Sequence, residues 1–543
     1  MTVKTTLCRG ASLAVLLSLC AVGVSHAQYA PAQDAPPPQD QMAAPRPTMS
    51  PDEMQAKIEE LEDELQFVKQ VQAEQTGTIN NTVQQVAHPD KLGYKGVSIT
   101  LGGFLEAASI YRDHNENSDI SSSFAAIPFK GPAGPGSPSN AASVGHTEEF
   151  KESARQSRLS ALVQGDVNPV THLAAYMELD FQGAAHTANY NESNSFNIRW
   201  RHVYGTLDRD DYGLHFLGGQ TWSLATLNTK GITPRNELTP PQIDAQYVPG
   251  FVWARQAQFR ITKDLLDKKL WLAVSFENPQ TTFGAVNVLP TVRTVYNVAG
   301  GGVLDSTNNF SLNHVPDVIG KIAYEGSFMD RTFHAEALAM YRDFYDRYST
   351  NNGGSYSNQD VNGYGVGGSV VLTAYPKLLD LQASVLYGQG IGRYGSSQLP
   401  DVTFRPDGKI EPIQEFMFLA GGTAHYGKDV DVYVFGGAEA ETKRPYTVAG
   451  AAYGVGNGLT RSDGCFSEAA TTGCSVNTKL VDQATVGFWW RFYQGSFGRA
   501  QLGAQYSYTE RVGFTGSNAT GAPAGSPTGT ENMVFTSIRY YPF

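Results

Sequence analysis

The stretch "RLSALVQGDVNPVTHLAAYMELDFQ", residues 158–182, decides the fold. Its first half sets Leu159, Ala161, Val163, Gly165 and Val167 on one face of an extended chain, against Arg158, Ser160, Gln164 and Asp166 on the other. After "NPVT" (168–171) the second half repeats the pattern. Leu173, Ala175, Met177, Leu179 and Phe181 oppose Tyr176, Glu178, Asp180 and Gln182. A period of two is that of a strand with one apolar face. Each run is about as long as a tilted membrane-crossing strand, ~9–11 residues. "RAQLGAQYSYTER" (499–511) alternates in the same way.

Working outward, the period of two predicts sixteen strands: 97–111, 155–167, 172–182, 196–207, 212–222, 251–262, 269–277, 317–326, 331–342, 362–374, 380–388, 413–426, 429–439, 481–493, 498–510 and 532–543. Alternation alone also suits a soluble sandwich. The connections decide between the two. Those at 112–154, 183–195, 223–250, 278–316, 343–361, 389–412, 440–480 and 511–531 are long and polar, whereas "DRDD", "GSFMD", "YPKLLD", "GK" and "QGSFG" are tight. Long loops at one end and short turns at the other are the layout of an outer-membrane barrel. The expected fold class is all-β, a 16-stranded antiparallel transmembrane β-barrel over 89–543, preceded by a short periplasmic α-helical coiled coil.

Composition agrees: 56 Gly, 27 Tyr and 27 Phe with only 17% charged residues suit many strands joined by turns. No stretch after the leader approaches the ~20 apolar residues of a spanning helix. A net charge of −12 is no footprint for nucleic acid.

Residues 1–27 read as an export signal: Lys4 and Arg9, an apolar core, and "SHA" ending at Ala27. Cys20 raises lipidation as the alternative, but bulky Leu19 precedes it. The Pro- and Gln-rich 28–49 is a tether. Residues 50–88 carry a coiled-coil seam. Ser50 caps, Pro51 opens the helix, and Ile58, Leu61, Leu65 and Val68 recur three and four apart. The seam predicts a small oligomerising stalk; a solvated helix is the alternative. Cys465 and Cys474 remain after the leader. In an exported chain they are expected to form a loop disulfide, two free thiols being the alternative.

The terminal "VFTSIRYYPF" (534–543) is read as the closing strand, with Tyr541 and Phe543 on the lipid face in the girdle at the short-turn end. A terminal Phe543 also resembles the signal that barrel-assembly machinery recognises. On this parity Arg539 faces lipid, which leaves a bulge at Pro542 or a snorkelling side chain as the options. An even strand count places both termini in the periplasm.

Several blocks carry a family resemblance: "SARQSRLS" (153–160), "GQTWSL" (219–224), "FENPQTT" (276–282), "HVPDVIGKIAYEG" (314–326), "YGQGIGRY" (387–394) and "FWWRF" (488–492). They resemble the DcaP-like outer-membrane porins over most of residues 50–543. That resemblance implies a homotrimer in outer-membrane lipid, a periplasmic coiled coil, and a water-filled channel for dicarboxylates and similar small anions. It implies no cofactor. In porins of this size the loop at 223–250 folds into the lumen as the constriction. Here that loop would present Lys230, Arg235, Glu237 and Asp244, stiffened by Pro234, Pro240 and Pro241.

Strand parity gives an inward cationic set: Arg158, Arg199, Arg201, Arg260, Lys321, Arg342, Arg491 and Arg499. Glu178, Asp180, Glu277, Glu325 and Glu336 share that face. Cations across from acids would set up a transverse field in the pore. The plainer reading is wall ion pairs that brace the barrel, leaving a general porin of low selectivity. Two other classes compete. A barrel enzyme would need a nucleophile beside a His. His202 falls on the lipid parity with Trp200 and Tyr204, toward the short-turn girdle, yet no GxSxG or HExxH motif and no metal-ligand spacing accompanies it. A structural or adhesin barrel would be plugged.

Overall fold

The first long strand of the sheet also closes it. In a computed structural model of the chain, Leu105 stands antiparallel to Tyr540 and Arg112 to Met533. The barrel strands are β1 (Val97–Arg112), β2 (Arg158–Asn168), β3 (Thr171–Asp180), β4 (Arg199–Arg209), β5 (Leu214–Trp222), β6 (Arg255–Leu265), β7 (Leu270–Glu277), β8 (Asp317–Phe328), β9 (Arg331–Ser349), β10 (Ser357–Tyr375), β11 (Leu379–Gln389), β12 (Gln414–Tyr426), β13 (Val430–Glu441), β14 (Thr478–Gly495), β15 (Gly498–Gly513) and β16 (Thr528–Tyr541). Each pairs antiparallel with the next, so the sheet has no free edge.

The structure describes residues 91–543 except 115, 117, 130–147, 184–196, 300–308 and 467–472, with scattered positions of 50–69. Residues 1–72 and 73–543 are separate units. The described positions between Pro51 and Lys69 are helical. The expected leader 1–27, tether 28–49 and remainder of the 50–88 coiled coil lie outside the described residues. No described helix is long and apolar enough to cross a membrane.

Seven connections are tight, and Met329 and Asp330 both take positive φ (49° and 60°), as a two-residue hairpin turn requires. The other end carries the long loops. Two boundaries differ from the sequence reading. The expected loop 343–361 is mostly strand: β9 and β10 run 19 residues each. Polar side chains on both faces there, such as Asp346 inward and Arg347 outward, hid the alternation. The second expected strand, 155–167, starts at Arg158, and the expected loop before it holds a further strand. A separate strand, Glu149–Ser153, pairs with the upper part of β1, and Arg158–Asn168 with the lower.

The outer face is apolar between two aromatic belts. Tyr212, Phe328, Tyr375, Tyr426 and Phe497 ring the short-turn end. Tyr111, Phe276, Tyr341, Tyr364, Tyr387 and Phe416 ring the long-loop end. This is the surface that lipid demands of a barrel. At the C-terminus one expectation is corrected. Tyr541 and Arg539 point inward, and Tyr540, Ile538 and Val534 point out. Pro542 ends the strand, so counting back from Phe543 reversed the parity. Arg539 needs no snorkel: its Nε donates to Glu106 Oε1 at 2.9 Å inside the barrel.

Candidate permeation path

The interior is occupied chiefly by one loop. Residues 223–254, between β5 and β6, cross the lumen and are pinned to several walls. Asn228 N donates to Glu336 Oε1 on β9 (3.1 Å), and Lys321 Nζ of β8 donates to Thr226 O (2.6 Å). Toward the far wall, Trp489 Nε1 of β14 donates to Pro241 O (2.8 Å), and Ile243 N donates to Gln505 Oε1 of β15 (2.7 Å). Apolar packing follows the same anchors. Ile243, Val248 and Phe251 join Tyr433, Phe435, Trp489 and Phe535 in one cluster, and Leu224, Ile232 and Val252 join Ile319, Leu338 and Met417 in another. The first cluster reaches the β2–β6 wall at Trp222, which packs on Tyr247 and Phe251.

Along that wall space remains. At the long-loop end a 420 Å³ cavity is lined by Arg199, Arg255 and Arg393 with Trp200 and Trp253. A 200 Å³ cavity shares Arg199 and Trp253 and adds Arg155. No carboxylate lines either. At the short-turn end a 450 Å³ cavity is lined by Asp166, Asp208 and Asp210 with His172, His215 and Arg235. Between them lie Arg201, Glu178, His202, Tyr176 and Tyr204, with Tyr176 and Tyr204 ring centroids 5.6 Å apart.

Arg255 is the distinctive group. It stands opposite Trp222 as the last pair between β5 and β6. Its guanidinium lies over Trp222 (4.6 Å) and Trp253 (5.4 Å). It makes no ion pair among the described residues, and Nη1 has no hydrogen-bond partner. Arg199, Arg201 and Arg158 are within electrostatic reach. Four guanidiniums there face two nearby carboxylates, Glu178 and Asp180. Indole faces stabilise a cation without neutralising it.

The sequence-predicted cations all face inward, but most are engaged. Arg199 grips Asp180 in a bidentate pair (3.0 and 2.7 Å) yet keeps 29% of its side chain exposed. Arg201 donates to Glu178 (2.6 Å) and Asp180 (3.2 Å). Arg158 lies over Phe104. Arg260 donates to Gln258 and to Trp222 O. Lys321 pairs with Glu336 (2.8 Å), and Glu325 with His334 (2.7 Å). Arg342 is clamped by Asp317 and Asp401. Arg491 pairs with Asp431, and Arg499 lies over Tyr541, both at the short-turn end.

The loop residues divide likewise. Lys230 and Arg235 are exposed, Arg235 lying 5.9 Å from the Tyr176 ring. The backbone of Glu237 pairs with that of Asn228, and its side-chain Oε1 is enclosed without a hydrogen-bond partner among the described residues. Asp244 is an anchor rather than a solute contact: Ser122 Oγ donates to it at 2.5 Å and Gln246 N at 2.8 Å. Cys465 and Cys474, in the 442–477 loop, have their Sγ atoms at bonding distance.

His202 does not face lipid. A bulge shifts the β3–β4 register between Glu178/His202 and Leu179/Trp200, turning both Arg201 and His202 inward. His202 is buried, its Nδ1 2.9 Å from Thr221 Oγ1, toward the long-loop end of β4.

No family model and no curated protein matches this chain. Among solved structures, the outer membrane channel DcaP of Acinetobacter baumannii superposes with a TM-score of 0.54 at 18% identity, covering 83% of this chain and 98% of that one. The two barrels share a fold. OmpT of Vibrio cholerae (trimer form; 10% identity, 82% and 100% coverage) and an anion-selective porin of Comamonas acidovorans (11%, 82% and 99%) each reach a TM-score of only 0.42 and carry no weight here.

Proposed function

We propose that the protein is an outer-membrane porin, a water-filled channel for passive diffusion of small hydrophilic solutes that favours small anions such as dicarboxylates. What supports the preference is the unneutralised Arg255, held between two indoles in a cavity that Arg199 and Arg393 share and no carboxylate lines. Guanidinium forks suit carboxylates. The long loops face outside the cell, the short turns and the N-terminal segment the periplasm. The chain works as a homotrimer, inserted by the barrel-assembly machinery through its C-terminal strand. No cofactor enters this reading, and no chemistry does: His202 is enclosed beside Thr221 and Glu178, away from lipid.

One observation favours a less selective porin. The short-turn cavity carries Asp166, Asp208 and Asp210, which would offset the cationic entrance. Conductance of the purified protein in a planar bilayer tests the channel reading itself. Stepwise openings in groups of three are expected, whereas a silent bilayer would point to a plugged structural barrel.

A further inference from the structure

On the outer face, three neighbouring strand lines bring one imidazole and two carboxylates to the same height. Val318 of β8 stands opposite Tyr341 of β9. The chain leading into β8 continues that line and carries His314 against Tyr345, ring centroids 4.8 Å apart. Tyr345 in turn stands opposite Asp360 of β10. His314 Nε2 lies 3.3 Å from Asp360 Oδ1. Asp343 shares a face with Tyr345 and completes the group: one ligand atom from each of His314, Asp343 and Asp360 lies within 4.8 Å of the others.

The arrangement is braced from behind. Tyr345 N donates to Asn313 Oδ1 (3.3 Å), and Asn313 Nδ2 donates to Thr281 Oγ1 (2.8 Å), fixing the residue next to His314. Asp343 is only 5% exposed, and its Oδ1 is enclosed without a hydrogen-bond partner among the described residues. A buried carboxylate oxygen with no donor is costly unless a cation satisfies it. One imidazole cannot balance two carboxylates.

The geometry points to a divalent cation site formed by His314, Asp343 and Asp360, on the outer face at the long-loop end beside the Tyr341 and Tyr364 belt. One imidazole nitrogen with carboxylate oxygens suits a borderline first-row cation such as Zn²⁺ better than Mg²⁺, which takes oxygen ligands and keeps its waters. His314 and Asp360 are each more than half exposed, leaving open coordination positions for water. The site is independent of the channel reading.

Calorimetric titration of tag-free, chelator-treated full-length protein with Zn²⁺ tests it, with Mg²⁺ as the control. A saturable Zn²⁺ event is expected, weakened at least about tenfold in Asp343→Asn and in His314→Gln, and retained in Glu531→Gln at the separate Asp113–His114–Glu531 group. Heat-dependent gel migration verifies that each variant is a folded barrel; if Asp343→Asn is not, His314→Gln decides. Absence of saturable binding, unchanged affinity in the folded variants, or equal affinity for Mg²⁺ would each overturn the assignment.

Discussion

Two walls of the lumen use arginine in opposite ways. On the β8–β9 side, Arg342 is wholly buried, with Asp317 and Asp401 on its guanidinium, and Lys321 is matched to Glu336. On the β2–β6 side, Arg255 has indoles instead of acids for neighbours, and Arg199 keeps part of its side chain exposed. The first wall uses its charges to hold loops in place, whereas on the second Arg255 makes no ion pair among the described residues. An inward arginine is therefore braced or left unpaired depending on its neighbours, and strand parity reports only its direction.

Removing the brace should have the largest effect. Arg342→Gln leaves buried Asp401 without its cation and Asp317 with only the longer contact to Arg393 (3.5 Å), and should cost about 3–5 kcal/mol. Thermal unfolding, read by the heat-modified gel shift, should drop clearly while ion selectivity hardly changes. A large selectivity change with unaltered stability would erase the distinction between the walls. Arg201 stands between the two behaviours. Arg201→Gln breaks charge-assisted bonds to Glu178 and Asp180, each worth about 1.5–3 kcal/mol. It also unmasks those acids, so the channel should turn toward cations as well as lose stability. The smallest effect concerns the loop anchor. Burial pushes the Asp244 carboxyl up to about 6, opposed by hydrogen bonds from Ser122 and Gln246 N. A folded-state value above the unfolded one imposes a cost present above about pH 6 and relieved as pH falls below it. The melting temperature of wild type, relative to Asp244→Asn, should therefore rise between about pH 7 and about pH 5.

The period of two made the barrel legible, because every strand has one face in lipid and one inside. Sorting of loop lengths then gave closure and the end at which loops cluster. Failures came where alternation is interrupted. The bulge at Arg201 and His202 adds a residue and flips the parity of His202. Pro542 ends β16, so Arg539 and Tyr541 were assigned to the wrong face. Arg255 was missed for a related reason. It has the opposite parity to Arg260 and sits at the strand terminus opposite Trp222, where β4 no longer pairs with β5. Arg393 and Arg155 were visible only as members of "YGQGIGRY" and "SARQSRLS"; the loop fold that brings them beside Arg199 leaves no periodic trace.

The central claim is that the unneutralised Arg255 guanidinium of the β2–β6 wall sets the ion preference. Reversal potential across a planar bilayer in a KCl gradient measures it most directly. Wild type should favour chloride over potassium. A unit charge about 4 Å away in water contributes about 1 kcal/mol, so Arg255→Gln should lower the chloride-to-potassium permeability ratio about fivefold. A wild-type channel that favours potassium, or an Arg255→Gln channel with an unchanged ratio, would contradict the account.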